Sequence, residues 1–169
     1  MICERGHDSC FERRLFTLDL GSPSELPGQV NLPSRHFVCL LAWDARGVSV
    51  DTVSSLVESL LLAGAAYFVC WGPDCERVHD IIDEVVVEAA WAAVAPAERC
   101  IMTTWHDSEP LSEAIRFLLV NAVPSSKFEE ATGATLAISI GCADWAAELA
   151  RAMDHPREFV ADTAEDDGA

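Results

Sequence analysis

The chain has 169 residues, 50% of them hydrophobic, which is ample for one packed domain and excludes disorder along its whole length. Its 28 acidic against 11 basic residues give a formal charge of -17, which opposes nucleic acid and anionic membranes, since affinity for phosphates is built from Lys and Arg. A basic protein surface or a small-molecule ligand fits this balance as partner; otherwise the acidity serves solubility.

Residues 1–34 contain Gly21-Ser22-Pro23-Ser24-Glu25-Leu26-Pro27-Gly28 and Leu32-Pro33, a density of Pro and Gly that predicts an extended N-terminal arm with at most a short edge strand at 15–20. From residue 35 to 158 a regular beat predicts a single α/β domain. Phe37-Val38-Cys39-Leu40-Leu41-Ala42-Trp43 is a continuous apolar run, the pattern of a strand buried on both faces. A cap within Ser49–Thr52 opens a helix with Val53, Leu56, Val57, Leu60 and Leu61 on one side, and Gly64 closes it. Ala66–Trp71 is the second strand, and Asp74 caps a second helix through Val78, Ile81, Ile82, Val85 and Val86 that Ala-rich residues carry towards Pro96. The third cycle is Cys100–Trp105 followed by a helix with Pro110 in its first turn and Leu111, Ile115, Leu118 and Leu119 buried. A polar loop at 125–133 leads to a fourth strand, Thr135–Ile140, and a last helix runs from Asp144 through Trp145, Leu149 and Met153 to His155-Pro156. Residues 159–169 form an acidic tail with nothing to bury, expected to be disordered.

Four strand-then-helix cycles with short connections predict a three-layer sandwich around a four-stranded, mostly parallel sheet, flavodoxin-like or Rossmann-like. Placing the most apolar strand centrally favours the order 2-1-3-4, with a switch point between strands one and three, where ligands bind beyond the carboxyl ends.

Three strand-to-helix corners each carry a Trp and a nearby acid, and one rim would then hold Trp43, Asp44, Trp71, Asp74, Trp105 and Asp144 as a ligand-binding set. The competing reading makes each Trp a cover for the core and each Asp a helix cap. Cys75 stands in a first helical turn with His79 four residues on, so a Cys75 nucleophile with His79 or His106 as base, oriented by Asp107 or Asp144, is the candidate catalytic set. Asp74, Glu76 and Asp80 oppose a thiolate there. Cys75, His79 and His106 with Cys142 or Asp107 could also suit zinc, although no paired-cysteine motif supports a metal site. Neither G-x-G-x-x-G nor G-x-x-x-x-G-K-[ST] occurs, and no cofactor is expected.

The segments Leu41-Ala42-Trp43-Asp44, Trp71-Gly72-Pro73-Asp74-Cys75-Glu76-Arg77-Val78-His79-Asp80 and Met102-Thr103-Thr104-Trp105-His106-Asp107 together resemble an uncharacterised family of small bacterial proteins, classed only as a domain of unknown function. The resemblance spans roughly residues 35 to 141 and implies a bacterial cytoplasmic origin, with no activity, substrate or catalytic residue attached. The cysteines agree on compartment: seven, with no C-x-x-C pair, are not a secreted disulfide framework. The amino terminus is too charged to open a signal peptide, and the longest apolar run, Leu60–Trp71, falls short of the ~20 residues of a membrane span. The leading expectation is a non-catalytic interaction or small-ligand-binding protein, regulatory or immunity-like. The alternatives are a small Cys-His hydrolase or transferase, or a zinc or thiol site at the same rim.

Overall fold

The computed structural model describes residues 1–92 and 100–160. Its strands are β1 (Cys3–His7), β2 (Arg14–Leu20), β3 (His36–Trp43), β4 (Ala65–Trp71), β5 (Met102–His106) and β6 (Thr132–Ile140). Its helices are α1 (Val50–Leu62), α2 (Cys75–Ala92), α3 (Leu111–Val120), α4 (Ser126–Glu129), α5 (Ala143–Asp154) and α6 (Pro156–Val160), with a 3-10 turn at Pro23–Glu25. No helix among the described residues is long and apolar enough to cross a membrane.

One six-stranded sheet runs β1-β2-β6-β3-β4-β5. Every pairing is parallel except β1 with β2. β3 is central, and its alternating side chains feed two cores. Phe37, Cys39, Leu41 and Trp43 pack with α1 and α2; Val38, Leu40 and Ala42 pack with α3 and α5. Burial on both faces is why this strand reads as an unbroken apolar run. Truncating Leu40, fully buried at the centre, costs about 2–5 kcal/mol.

Local chemistry sets the element ends. The Ser49 hydroxyl accepts the Thr52 amide at 3.2 Å and caps α1. Gly64, at φ +107°, turns the chain back so closely to the Arg35 carbonyl that a Cβ would collide with it. Pro110 takes the N-cap position of α3, where its missing amide hydrogen is no loss.

Several expectations are corrected. The sheet has six strands, not four: residues 3–7 join it instead of forming an extended arm, and residues 14–20, where at most a short edge strand was expected, form an interior strand between β1 and β6. Arg13, almost wholly buried, fastens this segment by donating to the Ala122 carbonyl at 2.9 Å. In the numbering of the four expected strands the order is 4-1-2-3, not 2-1-3-4. After β5 the chain returns through α3 and α4 to the far side of β3, so the switch point lies between β3 and β6. The loop at 125–133 contains α4 and the start of β6. Extension of α2 towards Pro96 lies outside the described residues from 93 onward, and so does the tail from 161; residues 159 and 160 belong to α6.

Candidate functional site

The corner after β4 is built by backbone constraint. Gly72 has φ +112° and presses against the Trp43 carbonyl, where a Cβ would collide. Asp74 follows at φ +70°, a left-handed conformation that Asp tolerates better than most residues. The Ala45 amide donates to the Pro73 carbonyl at 3.1 Å, and Arg77 donates to the Ala45 carbonyl and the Asp74 carboxylate, each at 2.7 Å. These contacts weld the corners after β3 and β4 together.

Cys75 is 2% exposed and packs with the α1–α2 core. Burial pushes its thiol up, and the Asp107 charge adds to that; backbone N–H groups of His106, Cys75 and Glu76 pull the other way without overcoming it. Desolvation therefore outweighs the lowering that a helix start gives a thiol. A cleft of about 290 Å³ beside it is lined by Cys75 with Asp74, Glu76, Arg77, Asp80 and Asp107.

The two histidines are engaged elsewhere. His79 lies 3.2 Å from Asp80 and 3.7 Å from Asp83, its ring 4.6 Å from that of Trp105. His106 Nδ1 is 3.0 Å from the Glu109 carboxylate and its ring packs on Phe117 at 4.7 Å. Trp105 and His106 are consecutive on β5, so they point to opposite faces and the histidines are separated by the sheet. Cys75 and Asp107 thus share a cleft that neither imidazole lines. Among the described residues no three His, Cys, Asp or Glu side chains are grouped to hold a metal ion. Trp71 donates its indole N–H to the Glu109 carbonyl at 2.8 Å and meets Trp145 edge to face at 5.1 Å. Trp105 is half-exposed on the outer strand; Asp144 is exposed in the first turn of α5, and Cys142 is half-buried just before it.

The open space lies at the switch point. A crevice of about 810 Å³ sits beyond the carboxyl ends of β2, β3 and β6, lined by Gly21, Ser22, Pro23, Trp43, Asp44, Arg46, Val48, Thr52, Ile140 and Gly141. It shares Pro23 and Thr52 with a groove of about 880 Å³ between the 23–31 segment and α1, where Leu26, Val30, Asn31, Ser55 and Ser59 form the walls. Asp44 and Arg46 form a two-pronged ion pair at the mouth, with contacts of 2.9 and 2.6 Å, and the guanidinium holds the Asp44 carboxyl below its usual range. Gly141, at φ +75°, lets the chain leave β6 while its amide donates to the Leu20 carbonyl at 2.8 Å.

Of the expected rim residues, Trp43 and Asp44 line this crevice; Trp71, Asp74, Trp105 and Asp144 stand elsewhere. Gly21, Ser22, Pro23 and Thr52 were not anticipated. Their signal was available: Leu20-Gly21-Ser22 ends an apolar stretch just as Ile140-Gly141-Cys142 does, and both are strand ends on one rim.

These observations define an α/β protein with a mixed, mostly parallel sheet, helices on both faces and a crevice at the reversal of strand order. Residues 15–156 match the model of a domain of unknown function, DUF7684, and the chain belongs to that family. The match runs from β2 into α6, wider than the span on which the resemblance rested. No curated protein matches the chain.

Proposed function

We propose that this chain is a non-catalytic small-ligand-binding domain of regulatory type, with its site in the crevice between β3 and β6. One observation carries the reading: a crevice at the carboxyl ends of the strands lies where strand order reverses, the position doubly wound sheets of Rossmann-like or flavodoxin-like kind use for ligands. Its volume of about 810 Å³ falls in the range of small-molecule sites. Val48, with the edges of the otherwise buried Trp43 and Ile140, offers apolar surface, Ser22 and Thr52 offer hydroxyls, and the Asp44–Arg46 pair presents one acceptor and one donor group. That composition suits a compact molecule with an apolar body and both donor and acceptor groups.

A non-catalytic reading is favoured over the Cys-His alternative because the Cys75 thiol is buried and held protonated, and neither histidine lines its cleft. Seven free cysteines support a reducing compartment, the cytoplasm.

The test is a ligand-observed NMR screen of a fragment library against the wild type and Thr52→Trp, which fills the junction of crevice and groove. Fragments that bind the wild type and are lost in the variant support the reading. A screen without hits, or hits that bind Thr52→Trp equally, overturns it.

A further inference from the structure

The two outer strands of the sheet are treated differently by the sequence. β1 carries Glu4, Arg5 and His7, pairs irregularly between Glu4 and His7, and holds a two-pronged Arg14–Glu4 ion pair at 2.8 and 2.6 Å. Charge and irregular register are the usual protections of an exposed strand against further pairing. β5, at the other edge, has neither. Its sequence Met102-Thr103-Thr104-Trp105-His106 contains no Lys, no Pro and no acid, its register with β4 is regular, and among the described residues β4 is its only partner strand. Met102 is 38% exposed and Trp105 46% exposed, although both are large apolar side chains.

The flank of this edge is acidic. On the α2 side Thr103 donates to Asp83 at 2.7 Å, and Asp80 and Asp83 remain 68% and 52% exposed at the side chain. Asp107 and Glu109 stand at the strand's carboxyl end, both exposed.

We propose that β5 is a docking edge for an extended, Arg- or Lys-bearing segment of a partner protein. The partner strand adds to the sheet through main-chain hydrogen bonds, sets its apolar residues on the face of Met102, and places its cations on the opposite face, beside Trp105 and across from Asp80 and Asp83. A second copy of this chain is the disfavoured occupant, because edge-to-edge pairing would bring Asp80 and Asp83 against the same acids. The proposal is independent of the switch-point ligand, which enters on the far side of β3 and β4.

The probe is an eight-residue peptide alternating Arg and Val, with its Glu–Val counterpart as control, added to the full chain and followed by hydrogen exchange and calorimetry. Expected are slowed exchange confined to 102–106 and its immediate flanks, no effect of the Glu–Val peptide, and a loss of affinity of roughly tenfold in Asp80→Lys/Asp83→Lys or on raising salt. Thr52→Trp, which blocks the crevice, leaves this binding unchanged, so the two sites fail separately. Protection spread over the acidic helices, equal binding of the Glu–Val peptide, or protection of 102–106 in a dimer of the chain alone overturns the proposal.

Discussion

The corner at Trp71–His79 and the crevice at Trp43–Gly141 sit on one rim, yet they divide chemistry and space between them. The corner holds the reactive residue types, and nearly every one is committed: Trp71 to the Glu109 carbonyl, Cys75 to the α1–α2 core, Arg77 to Ala45 and Asp74, His79 to two aspartates and Trp105. The crevice has unremarked residues, Gly21, Ser22, Thr52 and Gly141, and the room a ligand needs. Reactive side chains gathered at a corner can serve to hold strand ends together, whereas an opening at a strand-order reversal follows from topology whatever its lining.

The largest effect is expected at the seam joining the two regions. Gly72→Ala places a Cβ against the Trp43 carbonyl at a φ of +112° and should lower unfolding free energy by about 3 kcal/mol in urea titrations. A change below about 0.5 kcal/mol would mean that the two corners are not rigidly coupled.

Cys75 provides the next test. Cys75→Ala should cost about 1–2 kcal/mol, as the loss of a small buried side chain, and leave fragment binding at the crevice intact. In the wild type, alkylation of Cys75 should be far slower than that of the half-buried Cys142, by mass mapping. A thiol raised above its ordinary value of 9.0 contributes stability that is full below that pH and is lost as pH climbs through the higher folded value, because the unfolded chain ionises first. Rapid modification of Cys75 at neutral pH would restore the nucleophile reading.

The smallest change in stability belongs to the crevice mouth. Arg46→Ala should leave the melting temperature within error, since the pair is solvent-exposed, while returning the Asp44 carboxyl upward to its ordinary range. In the wild type the pair's contribution is present above the ordinary carboxylate value and fades as pH falls through the depressed one. Carbon-detected NMR titration of Asp44 reads this directly, and an unchanged Asp44 titration in Arg46→Ala would show the pair does not form in solution.

The repeating strand–helix cycles were readable because β3, β4 and β6 are buried on both faces and α1 and α3 show their apolar stripes plainly. β1 was hidden by the charges that suit an outer strand; β2 was legible as a short strand at 15–20, but the Pro- and Gly-rich segment after it suggested an edge, not an interior place. Strand order was not readable, since it depends on where the long return through α3 and α4 lands. The same limit governed the site. Trp43 and Asp44 were recognisable as rim residues, but whether Trp105 or His106 faces α2 is a matter of strand register, and that assigns the two imidazoles to different sides.

The central claim is that ligand binds at the reversal of strand order and not at the reactive corner. Amide chemical-shift mapping with the best-binding fragment tests it: perturbations are expected at Gly21, Ser22, Asp44, Thr52 and Gly141, with Cys75, His79 and Asp107 unmoved. Perturbations centred on Cys75 and Asp107, with the crevice silent, would contradict it.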